Sequence, residues 1–215
     1  MSDRIEAFGF SCQRVFCVGR NYAEHVKEMQ APRPAEPVVF MKPATSLVPE
    51  TQPLLLPKGE GSVHHEMELV VAIGREGRDI PESQALAHVA GVTLGIDLTL
   101  RDLQSRLKQA GQPWERAKSF DGSAPIGKFI GWSAQGDIQN IEMRCSVNGV
   151  LRQQGNTRDM LFPVAEIIAF LSRHWRLVPG DLIFTGTPAG VGPLVAGDHI
   201  RIESPQIGNF SWQAA

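Results

Sequence analysis

The sequence has no long hydrophobic run and no excess of positive charge, and each absence excludes a class of protein. Its longest uninterrupted aliphatic run, from Leu69 to Ile73, spans five residues, whereas a transmembrane helix needs about 20. Lys and Arg number 21 against 23 Asp and Glu, so the cation surplus of proteins that bind a phosphate backbone is missing. We therefore expect neither membrane insertion nor nucleic-acid binding.

Cysteine is also scarce. The three that occur, Cys12, Cys17 and Cys145, show no C-x-x-C spacing. An odd number without that spacing favours reduced, structural cysteines over a disulfide framework or a zinc site. Three charges fall within the first six residues, where a signal peptide would need its apolar stretch. These features predict a cytoplasmic protein.

No internal repeat or low-complexity block interrupts the 215 residues. A chain of this length can bury roughly 70% of its unfolded surface. Hydrophobic residues at 42% and charged residues at 20% lie near globular averages, which excludes disordered and fibrous classes. Residues 1–215 are therefore expected to form a single domain.

Short apolar segments bounded by Gly or Pro recur and predict strands. Asn148 and Gly149, between MRCSV and VLRQ, predict a type I′ hairpin turn, because that turn needs positive φ at both central residues. Strands outnumber helical patterns about two to one, which predicts a β-rich α+β fold with few helices. The strand segments are RVFCVG, VVFM, MELVVAIG, GVTLGIDLTL, EMRCSVNG, DLIFTG, DHIRIES and NFSWQ.

Four segments show helical patterns. In the first, Tyr22, Val26 and Met29 recur at i, i+4 and i+7, and Asn21 followed by Glu24 resembles an N-cap with its N3 partner. The prolines of QAPRPAEP then prevent this helix from continuing and predict a stiff, exposed loop. The four helical segments are NYAEHVKEM, PESQALAHV, RDLQSRLKQ and FPVAEIIAFLSRHW.

Two acids, Glu66 and Glu68, lie two positions apart in the strand-like segment HHEMELVVAIG. A period of two places them on one face, which continues as Val70 and Ala72, so only one end of that face is polar. Two carboxylates about 4 Å apart at an effective dielectric near 20 repel by roughly 4 kcal/mol. Both carboxylates stay ionised only if a cation lies between them. A solvated sheet edge is the alternative interpretation.

A third acid, Asp97, lies in GIDLTL on the face opposite the apolar residues. Aspartate is disfavoured in strands and costly when buried unpaired. If Asp97 met Glu66 and Glu68, the three oxygen donors would suit Mg²⁺ or Mn²⁺. His64 shares the face of the glutamates and could be a ligand, although a supporting or packing role is favoured.

His25 and Glu28 lie three residues apart on the first helix, so their side chains face each other. A carboxylate in this position orients an imidazole. The alternative is a partly exposed histidine with a surface ion pair. The adjoining proline loop and the turn VGRN favour a mobile lid over a site, covering about residues 20–37.

Other segments carry weaker signals. Lys118 lies between predicted elements, where a lone lysine is usually solvated. The loop TGTPAGVG could bring backbone amides to an anion, but it lacks the lysine of a P-loop. No G-x-S-x-G elbow occurs and no cysteine has an activating environment, so a covalent nucleophile is missing from the sequence pattern.

Six ordered blocks resemble the fumarylacetoacetate hydrolase superfamily over nearly the whole chain. The similarity is closest to the short, single-domain members that act on acylpyruvates and oxaloacetate. It implies a rolled mixed β-sheet with few helices, one catalytic domain and a homodimer. The blocks are CVGRNYAEHVKEM, VVFMKPATSL, SVHHEMELVVAIG, GIDLTLRDLQ, GQPWERAKSFDGSAPIG and LIFTGTPAGVGPL.

The resemblance also implies roles for individual residues. It places Mg²⁺ or Mn²⁺ on the three acids, with Lys118 beside the metal. It makes His25 and Glu28 a water-activating dyad on a segment that orders when substrate binds. Arg20 and Lys42 match blocks of the family without an assigned role. By the same resemblance, the substrate-contacting residues are Arg101, Gln104 and Thr187.

The leading hypothesis from this resemblance is metal-assisted hydrolysis of a carbon–carbon bond in an acylpyruvate, such as fumarylpyruvate or acetylpyruvate. The products would be pyruvate and a carboxylate, with His25 activating water and Lys118 stabilising developing charge. The same site would serve the alternatives of oxaloacetate decarboxylation, keto–enol tautomerisation or isomerisation of an unsaturated dioxo acid. A non-catalytic metal or anion binder is disfavoured, because a binder needs no base.

Overall fold

The computed structural model describes residues 6–7, 9–133 and 136–215. Residues 1–5, which carry two of the three charges weighed against a signal peptide, lie outside these ranges. Within them, three short 3₁₀ turns cover Ala44–Ser46, Leu86–His88 and Thr157–Asp159. The α-helices are α1 Ala23–Glu28, α2 Glu82–Ala85, α3 Arg101–Gln109, α4 Glu115–Lys118 and α5 Val164–His174.

Strands dominate the described residues. The strands are β1 Glu6–Ala7, β2 Phe10–Ser11, β3 Val15–Gly19, β4 Val38–Lys42, β5 Leu47–Pro49, β6 Val63–His65, β7 Met67–Ile73, β8 Val89–Ile96, β9 Thr99–Leu100, β10 Ala124–Ile126, β11 Ile130–Gly131, β12 Glu142–Val147, β13 Val150–Asn156, β14 Leu182–Phe184, β15 Gly192–Leu194, β16 His199–Ser204 and β17 Gly208–Gln213.

A mixed eight-stranded sheet forms the centre of the fold. Its order is β4-β3-β14-β7-β8-β10-β5, and β11 also pairs with β8. The pairs β3–β14 and β5–β10 are parallel, whereas the other pairs of this sheet are antiparallel. Smaller sheets have the orders β13-β12-β16-β17, β15-β6-β9 and β1-β2. The expected β-rich fold with a rolled mixed sheet and few helices is confirmed.

Strand β7 is buried on both faces, and its alternation divides the core. The odd-numbered residues from 67 to 73 pack in one apolar cluster with helix α5. Val70 and Ala72 pack on the opposite face, in a second cluster with Cys17 and Phe184. A period of two therefore orients this strand as the sequence predicts. The polar end of the second face is left to the two glutamates.

Helix α1 begins one residue later than the cap pattern predicts. Tyr22 occupies the N-cap position without a side-chain cap hydrogen bond. Asn21 is fully buried, and its amide donates to the carbonyl oxygens of Phe162 at 3.1 Å and Thr185 at 2.8 Å. The predicted Asn21 cap is wrong, because this side chain joins distant segments instead.

Two further local expectations are confirmed. Asn148 and Gly149 have φ of 52° and 77° at the turn between β12 and β13. All three cysteines are free thiols. Burial raises the pKa of Cys145 to about 12 and, with a contribution from Asp181, that of Cys12 to about 12. Among the described residues, no helix has the length and hydrophobicity needed to cross a bilayer.

Candidate active site

The acidic residues meet because of the register between β7 and β8. These antiparallel strands pair Met67 with Ile96, and one step further the amide of Asp97 donates to the carbonyl oxygen of Glu66 at 2.8 Å. Asp97 therefore lies opposite Glu66, and Glu68 is two residues along the same segment. One carboxylate oxygen from each acid lies within 4.8 Å of the others. All three side chains are buried.

The extended segment that carries the glutamates is not one strand. It divides into β6 and β7, with Glu66 between them. Strand β6 pairs with β9 and β15, whereas β7 pairs with β8 and β14. The expected single strand is wrong because the chain passes from one sheet to another at Glu66. Glu66 and Glu68 nevertheless line the same cavity.

Lys118 lies at the end of the short helix α4 rather than in a solvated loop. Its ammonium donates to Glu66 Oε2 at 2.7 Å, to Asp97 Oδ2 at 2.5 Å and to Thr99 Oγ1 at 2.7 Å. Burial alone would lower the pKa of Lys118, but Asp97 and Glu66 raise it above its usual value. Lys118 is therefore a buried counter-ion for two of the acids.

A second buried lysine, Lys42, lies beside Asp97. Lys42 Nζ is 2.8 Å from Asp97 Oδ1, and its side chain has no exposed surface. It donates to the carbonyl oxygen of Lys118 and to the carbonyl oxygen and Oγ of Ser123, the last two at 3.1 Å and 3.0 Å. Among the described residues, Asp97 Oδ1 is nevertheless buried without a hydrogen bond.

Arg101 supplies the third cation. It is the first residue of α3 and follows β9 directly. Its guanidinium pairs with Glu66 Oε1 and donates to Gln104 Oε1 at 2.8 Å. Three fixed cations thus accompany the three acids. Arg101 and Gln104, which the resemblance assigns to the substrate, both line the cavity.

The charges are shared unequally. Burial alone would raise the pKa of Glu66, but Lys118 and Arg101 hold it well below its usual value. Burial, followed by the charges of Asp97 and Glu66, raises the pKa of Glu68 well above its usual value. Glu68 forms no ion pair with a described residue and accepts one hydrogen bond, from the amide of Gly186 at 2.7 Å. One acid of the trio thus lacks a cation.

This donor set fits a divalent cation that prefers oxygen ligands. Within the described part of the chain, Glu68 has no counter-ion, and the buried Asp97 Oδ1 has no hydrogen bond. Mg²⁺ and Mn²⁺ are bound by carboxylate oxygens. Such an ion would relieve the repulsion that raises the pKa of Glu68. The trio is therefore a candidate site for a divalent metal.

The loop after β14 forms another wall of the site. Gly186 has φ of 103°, and a Cβ on it would lie 2.6 Å from the Cβ of Asn21. Glycine at this position lets the amide reach Glu68. The next residue, Thr187, lines the cavity, and its hydroxyl oxygen accepts from Gln153 Nε2 at 2.8 Å.

His25 and Glu28 form the expected pair. His25 Nδ1 is 3.0 Å from Glu28 Oε2, and the imidazole is buried in the cavity wall. Glu28 Oε1 accepts from the amide of Gly190 at 3.0 Å. Two amides of the loop TGTPAGVG are thus used by carboxylates of the protein, at Glu68 and Glu28. The anion expected at this loop is part of the chain itself.

One cavity unites these groups. Asp97 and Glu28 are not part of its wall, but each contacts residues that are. The movement of residues 20–37 as a lid stays a prediction. The loop after α1 is largely exposed. The cavity is lined by Val18, Gly19, Arg20, His25, Met29, Phe40, Glu66, Glu68, Arg101, Gln104, Lys108, Trp114, Lys118 and Thr187.

His64 does not join the acid trio. It lies in β6, and its Nδ1 is buried without a hydrogen bond. Burial, followed by the charge of Arg101, lowers the pKa of His64 to about 4. A supporting or packing role for His64 stays a prediction.

Lys108 and Gln153 lie at the site although they were not predicted from the sequence. Lys108 lies seven positions after Arg101 and four after Gln104, on one face of α3, so helical spacing could have found it. Gln153 is a buried residue of β13, a strand that is otherwise largely exposed. The sequence signal for Gln153 was a polar residue at an inward-facing position of a strand.

Known proteins resemble this chain over almost its whole length. The family model for the fumarylacetoacetate (FAA) hydrolase C-terminal domain matches residues 14–213. Oxaloacetate tautomerase YcgM of Escherichia coli (strain K12) is 48% identical over 194 residues, which cover 90% of this chain and 89% of that protein. Mitochondrial oxaloacetate tautomerase FAHD1 of Bos taurus is 44% identical over 189 residues, covering 88% and 86%.

A solved structure is similar to the same extent. The crystal structure of fumarylpyruvate hydrolase from Pseudomonas aeruginosa, in complex with Mn²⁺ and pyruvate, superposes with a TM-score of 0.92. The two sequences are 43% identical, and the match covers 96% of this chain and 91% of that chain.

Proposed function

The chain belongs to the fumarylacetoacetate hydrolase family, and from this membership we propose that it is a divalent-metal-dependent enzyme that interconverts the keto and enol forms of oxaloacetate. The observation that carries the proposal is the 48% identity to an oxaloacetate tautomerase over 90% of the chain. Carbon–carbon hydrolysis is the leading expectation from the sequence. These relatives favour tautomerisation, one of the alternatives to it.

Glu66, Glu68 and Asp97 would hold Mg²⁺ or Mn²⁺, and the Mn²⁺ in the similar hydrolase supports a divalent ion. When bound, the ion would supply positive charge to the 2-oxo acid end of the substrate and so acidify its C3 hydrogens. The three fixed cations equal the three acids in number, although they pair only with Glu66 and Asp97. An added divalent charge therefore favours an anionic substrate.

His25 is the base of the proposed reaction. Its Nδ1 is occupied by Glu28 at 3.0 Å, which leaves Nε2 to take a proton from C3 of the keto form. Glu28 stabilises the imidazolium that results, because opposite charges at this distance attract. Transfer of a proton to the C2 oxygen then completes the enol and restores the neutral imidazole. Base catalysis of this kind typically contributes about 10² to 10⁴-fold.

Lys118 and Arg101 keep the charge of the site favourable during this transfer. The raised pKa of Lys118 makes it a fixed positive charge rather than a proton donor. It lies against Glu66 and Asp97, so it offsets negative charge that grows nearby. Gln104 and Thr187 add polar contacts from the cavity wall.

Hydrolysis of acylpyruvates is the second candidate function. The similar fumarylpyruvate hydrolase structure, with its TM-score of 0.92, favours it. In that reaction, His25 would take a proton from water instead of carbon. The two functions therefore share His25 as the base and differ in whether it takes the proton from C3 of the substrate or from water.

The experiment follows the C3 hydrogens of oxaloacetate in D₂O by NMR, with Mn²⁺ replaced by Mg²⁺ to avoid line broadening. Protein should accelerate exchange above a blank with metal alone, and EDTA should abolish the acceleration. Glu68→Gln should lose it, whereas the exposed control Glu60→Gln should keep it. Acceleration that survives both EDTA and Glu68→Gln would contradict the proposal. Release of pyruvate from acylpyruvates measures the second candidate separately.

A further inference from the structure

Two basic side chains of the cavity wall, Arg20 and Lys108, form no ion pair with any residue that the structure describes. Both lie against the same indole: Lys108 Nζ is 5.0 Å and Arg20 Cζ is 5.8 Å from the ring centre of Trp114. Both are half-buried, and both line the cavity that contains the acids. Like charges held together in a pocket repel, and an anion between them relieves that repulsion.

The backbone at Arg20 adds an independent observation. Arg20 has φ of 60°, in the left-handed region that disfavours residues other than glycine, asparagine and aspartate. The fully buried side chain of Asn21 holds the adjoining backbone through its hydrogen bonds. Strain of this kind persists where surrounding structure enforces it, and it clusters at functional sites.

The acids do not need these two cations. The trio is already accompanied by Lys42, Lys118 and Arg101. Burial, followed by the charges of Arg20, Arg101 and Lys118, lowers the pKa of Lys108 to about 8, and Glu66 is the largest opposing charge. Lys108 therefore lies in a field that is mainly positive. A second anionic group of a substrate would offset the positive charges around Lys108 and so stabilise its ammonium group.

The position of Lys108 on α3 sets a direction for such a substrate. Arg101, Gln104 and Lys108 share one face of the helix, and Arg101 contacts the acid Glu66. Seven residues of α-helix span about 10 Å. This face therefore leads from the acid trio towards Lys108 and Trp114. A short dicarboxylate with one end at the trio would extend along it.

We propose that Arg20 and Lys108, on the shared platform of Trp114, bind the second carboxylate of the substrate and so select dicarboxylic over monocarboxylic oxo acids. The inference rests on the proposed function, because that function places the 2-oxo acid end at the trio. Oxaloacetate carries such a second carboxylate at C4. Its C4 methyl ester has the same reacting carbons without that charge.

The kinetic test compares kcat/KM for oxaloacetate with kcat/KM for its C4 methyl ester, by enolisation in the presence of Mg²⁺. The ratio should fall about tenfold in Lys108→Met and in Arg20→Asn, because each removes a charge-assisted contact. Asparagine tolerates the left-handed backbone at position 20, and Lys108→Arg should keep the preference. The exposed control Lys128→Met should have the wild-type ratio. A ratio within twofold of wild type in both variants overturns the subsite.

A binding measurement separates this subsite from the proposed reaction. The ligand 3,3-dimethyloxaloacetate has no C3 hydrogen and cannot enolise towards C3. By calorimetry with the Mg²⁺-loaded protein, the diacid should bind more tightly than its C4 methyl ester, and Lys108→Met should remove the difference. If binding discriminates but wild type fails to accelerate enolisation, the subsite stands and the reaction falls. If enolisation is catalysed but neither measurement discriminates, the reaction stands and the subsite falls.

Discussion

Gln153 Nε2 donates a hydrogen bond to Thr187 Oγ1 at 2.8 Å, and this contact determines how the threonine faces the cavity. The same nitrogen donates to the carbonyl oxygen of Pro188 at 2.9 Å. Gln153 Oε1 accepts from the amide of Met67 at 3.0 Å and lies 2.9 Å from His65 Nδ1. Because a backbone amide can only donate, the orientation of the glutamine is settled.

Thr187 therefore accepts from Gln153. Its hydroxyl hydrogen makes a long contact of 3.5 Å with the carbonyl oxygen of Pro188 and can turn from there to a bound carboxylate. Gln153→Glu removes both donors, and the hydroxyl of Thr187 would turn to donate to the new carboxylate. We expect KM for oxaloacetate to rise about tenfold, as for loss of a hydrogen bond to a charged group, with a smaller change in kcat. Steady-state kinetics measure the split. Gln154→Glu, at an exposed neighbouring position, is the matched control. A fall in kcat at constant KM would contradict the positioning role.

Substitution of the base should remove catalysis without removing the metal site. We expect His25→Gln to lower kcat for enolisation by about 10² to 10⁴-fold. Glu28→Gln should lower kcat less, since the imidazole keeps a hydrogen-bond partner but loses the charge that stabilises its protonated form. Glu24→Gln changes an exposed acid of the same helix and should leave kcat unaltered. Calorimetric titration with Mn²⁺ checks that the metal still binds; a wild-type kcat in His25→Gln would refute the assignment of the base.

The metal-free protein should lose stability as the pH rises, through Glu68. Its pKa is raised above the usual 4.5, first by burial and then by Asp97 and Glu66. A raised carboxyl pKa contributes stability that is present below the unfolded value and lost as pH rises through the folded value. In EDTA, the unfolding free energy of wild type should therefore fall relative to that of Glu68→Gln as the pH rises above the usual carboxyl pKa of 4.5.

That difference isolates Glu68 from other groups. The lowered pKa of His64 acts with the opposite sign over part of this range, but it is common to both proteins. Metal binding must displace the proton of Glu68, so the affinity for Mn²⁺ should rise with pH in wild type. A difference in stability that does not depend on pH would show that Glu68 is ionised without metal.

Removing the buried lysine beside Asp97 should cost stability. In Lys42→Met, Asp97 loses a counter-ion 2.8 Å away, and both side chains of this pair are buried. Breaking a buried ion pair on one side typically costs about 3 to 5 kcal/mol, and we expect a loss at the lower end because Asp97 keeps its pair with Lys118. Urea unfolding measures the loss, and Lys58→Met at an exposed position should change little. The double variant Lys42→Met with Asp97→Asn should recover part of the loss; an unchanged midpoint in the single variant would refute this role of Lys42.

Local pattern was sufficient for much of the fold. The alternation of residues 67–73 predicted two buried faces, and each face packs in its own apolar cluster. The turn at Asn148 followed from the φ that its type requires. These features depend on residues that are close together in the sequence, so the sequence alone predicts them. The predicted cap at Asn21 was wrong because it does not depend on neighbouring residues: the hydrogen-bond partners of this side chain lie more than 100 residues away.

The sequence by itself determined which groups to expect at the candidate site: the acids Glu66, Glu68 and Asp97, and the helical pair His25 and Glu28. Only the tertiary structure decided which groups surround them, since strand register and helix placement depend on packing between distant segments. The antiparallel register of β7 and β8 sets Asp97 opposite Glu66. The ends of β4 and α4 bring two lysines to these acids but none to Glu68. Charge balance in a buried site is a property of the assembled fold, because each contribution comes from a different part of the chain.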